Sequence, residues 1–230
     1  SSESCPTALA SHTTLVATLI DKYKANVNHR IFTTAQDKDN AGVFNGQSIL
    51  MVSAESCVDS YMMHLLLEKG ADPDAVGDEG QTALSMMCSS YADRYNKSPE
   101  FEAVFLEALE LMLGAVQTVD AALSTGETPL MLLTAQATGA TVDALQKFLD
   151  RGADIRARTE DGVSVLAYAV SHRADPTVLS YLIDNGAEVD EGVWKAFMEV
   201  PVKSIDVAVK IMNALTERRR APAKKRRRAQ

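Results

Sequence analysis

The sequence predicts an all-α chain, a solenoid of stacked helix pairs with short extended or hairpin-like fingers and about five to six repeats, degenerate ends included. Three observations predict it. A start phrase recurs four times, as Gly46-Gln-Ser-Ile-Leu50, Gly80-Gln-Thr-Ala-Leu84, Gly126-Glu-Thr-Pro-Leu130 and Gly162-Val-Ser-Val-Leu166. Each copy is followed by an apolar stretch running into a late glycine: Gly70, Gly114, Gly152 and Gly186. The start glycines and Gly192 are spaced by 34, 46, 36 and 30 residues, so only the second interval requires an insertion.

Each element has a local cause. Residues 1–28 form a degenerate N-terminal repeat whose second helix carries Leu15, Val16, Leu19 and Ile20, and Lys24-Ala-Asn-Val-Asn28 echoes the Gly-Ala-Asp endings without a glycine. Residues 29–45 are a polar connection expected as an extended finger or loop. The main body spans 29–217. Within it Ser48, Thr82, Thr128 and Ser164 stand just before apolar runs, where a hydroxyl caps free helix N–H groups. Pro129 then falls at the first helical position, where its missing N–H costs nothing. The late glycines fall where a second helix stops, a place that favours the left-handed backbone. Residues 89–98 hold most of the insertion. Phe101, Val104, Phe105, Ala108, Leu109 and Met112 then form one helix face behind Ser98-Pro99. Asp175-Pro176 opens the last clear second helix, and 192–217 supply capping helices with Lys203, Asp206, Lys210 and Glu217 for a polar outer face.

Composition narrows the function. No apolar run approaches the roughly 20 residues of a membrane span, and no signal peptide is evident. Three cysteines, Cys5, Cys57 and Cys88, suit reduced thiols in an intracellular protein, with Cys88 a core thiol. The chain starting at Ser1 implies either trimming or a removed leader. The histidines His12, His29, His64 and His172 are scattered, and CxxC, HExxH, phosphate-loop and nucleophile-elbow patterns are missing from the sequence. The expectation is therefore a non-enzymatic interaction protein without cofactor, metal or small-molecule substrate. Met62, Met86, Met112, Met131 and Met212 are expected as core filling.

The start and stop phrases resemble the ankyrin repeat, whose pattern runs Gly-x-Thr-Pro-Leu-His-x-Ala and closes on Leu-Leu-x-x-Gly-Ala-Asp. The resemblance covers roughly 43–192. The family histidine is replaced by Met51, Ser85, Met131 and Ala167, so the hydrogen bonds it implies are expected to be absent. Binding positions follow from the resemblance. Finger tips would be Phe44, Asn45 and Gln47; Asp78, Glu79 and Gln81; Ser124, Thr125 and Glu127; Glu160, Asp161 and Val163; and Asp190 and Glu191. The concave face would carry Glu55, Ser56, Ser89, Ser90, Gln136, Ser171 and His172. The tips are acidic. That fits either ordinary turn chemistry or a basic partner segment drawn in by charge, with Phe44 as an apolar anchor.

Residues 218–230 form a basic tail, disordered unless bound, in which Arg218, Arg219, Arg220, Lys224, Lys225, Arg226, Arg227 and Arg228 stand without an acid. The net charge is −8, so residues 1–217 carry −16. The tail reads as a nuclear-import signal bound by an import receptor, as an RNA anchor, or as an autoinhibitory segment. The two functions in view are an adaptor for a protein partner and a structural subunit of a large ribonucleoprotein. A nuclear location suits the tail; an organelle after leader removal is the alternative.

Overall fold

Helices form wherever a cap precedes an apolar run, and the computed structural model of the chain lays them down in sequence order. It describes residues 5–31, 46–56, 60–95, 99–135, 141–200, 204, 206–214 and 216. The described helices are α1 (Cys5–Tyr23), α2 (Ile49–Ser56), α3 (Ser60–Glu68), α4 (Ala83–Tyr95), α5 (Pro99–Ala115), α6 (Pro129–Thr134), α7 (Thr141–Asp150), α8 (Val165–Ser171), α9 (Pro176–Asp184) and α10 (Glu191–Glu199), with a further helical segment at 206–214. Two short strands, β1 (Arg30–Ile31) and β2 (Gln47–Ser48), pair antiparallel with Arg30 opposite Ser48 and Ile31 opposite Gln47. That pairing closes the base of the predicted first finger. Residues 32–45 lie outside the described residues.

The chain divides into two units, Ser1–Ser124 and Thr125–Gln230. In the first, α2 packs on α4 while α1, α3 and α5 pack in succession, and the pairs α2/α3 and α4/α5 join the two rows. In the second, α6, α8 and α10 pack in succession and α7 packs on α9, with α6/α7 and α8/α9 as pairs. Each unit thus has one layer of first helices and one of second helices. The space between them is filled by fully buried side chains such as Leu50, Met63, Leu66, Phe105 and Met112 in the first unit and Leu130, Phe148, Leu166 and Leu182 in the second. Truncating a buried phenylalanine of this kind to alanine costs about 3–5 kcal/mol.

All four predicted caps form. The hydroxyls of Ser48, Thr82, Thr128 and Ser164 accept from the amides of Met51, Ser85, Met131 and Ala167 at 3.3, 3.2, 3.3 and 3.4 Å. Pro129 occupies the first turn of α6, and Asp175 caps α9 ahead of Pro176. The side-chain bonds expected to vanish with the family histidine are partly restored. Ser85 Oγ accepts from the Thr82 amide at 2.9 Å and donates to its carbonyl at 3.0 Å, and Met51 Sδ accepts from the Ser48 amide at 3.4 Å.

Several expectations are corrected. The N-terminal repeat is one 19-residue helix, α1, and not a pair. It packs on α3 in the second-helix layer, leaving Leu15 and Leu19 exposed. Lys24 occupies the missing glycine's place with φ +56°, and Arg173 does the same after α8 with φ +60°. Gly70, Gly152 and Gly186 end α3, α7 and α9 with φ near +90°, but Gly114 does not stop its helix. α5 runs through it to Ala115, and the Val116 amide still reaches the Met112 carbonyl at 3.0 Å.

The insertion is mostly helix. It lengthens α4 to Tyr95, and buried Tyr91 packs its ring at a tilt against Phe105, ring centroids 4.0 Å apart. Of the polar end face, Asp206 is exposed as expected. Lys210 turns back onto α9, its Nζ 2.7 Å from Asp184 and 2.6 Å from Ser180, while Val209 and Met212 are exposed. Met212 is therefore no core filler, whereas Met112 and Met131 are fully buried and Met62 and Met86 half-buried. Lys203 and Glu217 lie outside the described residues. Cys88 is buried as expected.

Candidate protein-binding fingers

Two of the predicted fingers are built alike, one in each unit. In the first unit the chain reverses over 77–81, with the Gly80 amide on the Gly77 carbonyl at 3.2 Å and the Gly77 amide on the Gln81 carbonyl at 2.8 Å. In the second it reverses over 159–163, with the Gly162 amide on the Thr159 carbonyl at 2.9 Å and the Thr159 amide on the Val163 carbonyl at 3.0 Å. Both turns set glycine in the left-handed region at the fourth position, φ +83° at Gly80 and +79° at Gly162. This is the three-residue hairpin loop closed by a glycine bulge. It holds Asp78-Glu79 and Glu160-Asp161 as the two central residues of their turns, all four exposed.

The finger tips also stack in a repeated register. The Glu79 carbonyl accepts from the Ser124 amide at 2.9 Å within the first unit, and the Thr125 carbonyl accepts from the Glu160 amide at 3.3 Å within the second. Glu79 and Thr125 each precede a phrase glycine. Ser124 and Glu160 each stand two residues before the next one. The glycines make room for this approach. A Cβ on Gly80 would lie 2.8 Å from the Ser124 nitrogen, and one on Gly126 would fall on the Glu160 nitrogen and 2.9 Å from the Thr159 Cα.

In a hairpin turn of this kind the residue that favours Asp for local bonding is the first, which is Gly77 in one finger and Thr159 in the other. Thr159 Oγ1 indeed accepts from the Val163 amide at 3.1 Å. Among the described residues, no hydrogen bond or ion pair engages the carboxylates of Asp78, Glu79, Glu160 or Asp161. All four residues are exposed, although the Asp78 carboxylate also lies over Gly46, where an added Cβ would run into it.

Other predicted positions are drawn into the framework. Gln47 is only 5% exposed within β2, so it is not the surface contact the resemblance implies. Gln81 folds its Oε1 onto the Glu79 amide at 2.8 Å and steadies the first finger. Glu127 accepts from the Thr125 hydroxyl, and both belong to the second unit. Asp190 caps α10 by accepting from the Val193 amide at 2.9 Å and is held by Arg158 at 2.6 Å, its side chain 14% exposed. Glu191 is exposed but stands on the first turn of α10, not on a finger tip. Ser124 and Thr125 are exposed, and Val163 is half-buried. Phe44, Asn45 and the whole basic tail, Arg218 to Arg228, lie outside the described residues.

On the inner positions, Ser90 and Ser171 turn their hydroxyls to the carbonyls of Met87 and Ala167, and His172 Nδ1 lies 2.9 Å from the Tyr168 carbonyl with its ring stacked on Tyr168. Glu55 is half-buried and Ser89 exposed, while Gln136 and the Ser56 side chain lie outside the described residues. Burial and then the charge of Glu127 push the Tyr168 hydroxyl pKa up. Sequence reasoning missed Arg158. It bridges Glu188 at 2.7 Å and Asp190 at 2.6 Å and donates to the Gly162 carbonyl at 2.6 Å, bracing the base of the second finger. Its only sequence signal is the alternation Arg156-Ala-Arg158 in the link before the turn.

Among the described residues no three His, Cys, Asp or Glu side chains converge as a metal site, and no helix is long and apolar enough to cross a membrane. No protein-family model matches the chain, and no curated protein is similar enough to count as a relative.

Proposed function

We propose that this chain is a non-enzymatic scaffold of the ankyrin-repeat kind that binds a basic segment of a protein partner through its acidic finger tips. The observation that carries the reading is the repeated finger. The same hairpin, with the same glycine, twice presents two exposed carboxylates that no described group neutralises. A rigid turn loses little entropy on binding, and like charges held at its tip steer a cationic partner toward it. The layered packing of first and second helices in each unit supports the solenoid part of the proposal, since neighbouring pairs share one core.

The test is a photo-crosslinker placed at Glu79 and at Asp161 to identify the partner, followed by titration with the purified partner. Replacing Asp78, Glu79, Glu160 and Asp161 by serine weakens binding by roughly tenfold or more at physiological salt and flattens the salt dependence. Unchanged affinity and an unchanged salt slope would remove the proposal.

A further inference from the structure

α3 and α5, both in the first unit, border an open groove of about 1090 Å³ that lies apart from the fingers. Its walls follow helical periodicity. On α3, Tyr61, His64, Leu67 and Glu68 line it; on α5, Glu107, Glu110, Leu111 and Gly114 do. Residues at these spacings lie on one face, so each wall is a single stripe about two turns, or roughly 12 Å, long. The lining is mainly apolar around Leu67 and Leu111, with three glutamates at the edges and Tyr61 63% exposed beside them. Lys69 bonds Asp21, 2.8 Å away, and its ammonium also feels the charge of Glu68.

Gly114 is the telling residue. It sits inside α5 without a left-handed φ, so no turn requires it there. A Cβ at this position would meet nothing within 4 Å, so no close packing requires it either. Glycine is a weaker helix former than alanine, and this one is the last residue but one of α5. Here it leaves the wall of the groove bare of a side chain. The backbone and the core give no reason for it; the groove does.

We infer that this groove docks a two-turn amphipathic helix of a partner protein. The docked helix sets a large apolar residue over Gly114 and lysine or arginine against Glu68, Glu107 and Glu110. Walls of helical pitch suit the helix-in-groove mode of recognition, and the acidic rim selects a basic helix by charge complementarity. None of the four finger-tip acids lines this groove.

The test uses the full chain and a fluorescent synthetic helix of about 15 residues, leucine at helical spacing and lysine elsewhere. Binding is read by anisotropy against salt. Gly114→Leu keeps every charge and should fold at least as stably as the wild type, as a thermal scan checks, yet weaken binding by roughly tenfold. Glu68→Lys/Glu107→Lys/Glu110→Lys should weaken it comparably and abolish its salt dependence. The finger variant lacking Asp78, Glu79, Glu160 and Asp161 should bind this helix as the wild type does. Equal affinity of Gly114→Leu and wild type, or loss of binding in the finger variant alone, overturns the inference. The second of these outcomes would leave the finger proposal standing.

Discussion

Gly126 and Gly162 form a matched pair for measuring what the finger-tip stack contributes. Both take left-handed backbone, φ +88° and +79°, so alanine at either position pays a conformational cost of about 1–2 kcal/mol. At Gly162 nothing lies within 4 Å of the added Cβ, and the cost ends there. At Gly126 the Cβ meets the Glu160 nitrogen and lies 2.9 Å from both the Cα and the carbonyl carbon of Thr159. These are backbone atoms, which cannot swing aside as a flexible side chain does. The second finger must shift, stretching the 3.3 Å bond from the Glu160 amide to the Thr125 carbonyl. Losing that bond removes about 1 kcal/mol, and overpacking adds about 1–3 kcal/mol. Gly126→Ala is therefore expected to cost about 3–6 kcal/mol against about 1–2 for Gly162→Ala. Gly80→Ala should fall between them, because its closest approach, 2.8 Å to Ser124, is less severe. Guanidinium denaturation gives the three values, and hydrogen exchange at Glu160 should quicken in Gly126→Ala alone. Equal destabilisation at Gly126 and Gly162 would refute the stacked-finger geometry.

Two further outcomes follow from single residues. Arg173 is exposed at φ +60°, so Arg173→Gly should raise stability by up to about 1 kcal/mol, seen as a melting point higher by roughly 2–4 °C. Tyr168 has its pKa raised by burial and then by Glu127. Its contribution is complete below the unfolded tyrosine value near 10 and is lost as pH rises toward the folded value, because the unfolded chain ionises first. Tyr168→Phe should accordingly flatten the alkaline fall of stability measured by denaturation as pH rises above about 10.

The sequence revealed what is decided within a few residues. The caps at Ser48, Thr82, Thr128 and Ser164 and the stops at Gly70, Gly152 and Gly186 depend on local hydrogen bonds, and all were legible. Gly114 was misread because the residue type matches a stop, while the return bond that makes one is missing. At Gly70 the next amide, Ala71, reaches back to Leu66 at 2.9 Å; at Gly114 the backbone keeps its helical spacing to Val116. Lys24 and Arg173 were invisible as left-handed residues, since the path between packed helices, and not their side chains, sets that conformation. Along the extension of α4, Tyr91 meets Phe105, a contact between helices that periodicity does not encode. The same division holds at the site. Acids at turn tips could be read from the phrase, but the fate of Asp190 depends on Arg158, 32 residues away.

Apart from the glutamates of the α3/α5 groove, two groups of acids in the body differ by geometry. One holds the backbone together. Asp74 accepts from the amides of Gln117 and Thr118, Asp72 and Asp154 from the amides two residues on, and Asp175 and Asp190 cap helices. These would be retained in a protein that bound nothing, because each satisfies an amide that would otherwise go unpaired. Asp184 belongs with them, since its bond to the Lys210 ammonium holds its carboxyl below the usual range. The second population is Asp78, Glu79, Glu160 and Asp161, four carboxylates at the centres of two like turns with no such partner among the described residues. Clustered charges of one sign oppose the folded state, so folding stability gives no reason to keep them there. Their placement at both finger tips, beside glycines that fix the turn, suits the proposed binding of a cationic segment. The net charge of the chain alone would not have separated these four from the acids that merely build the frame.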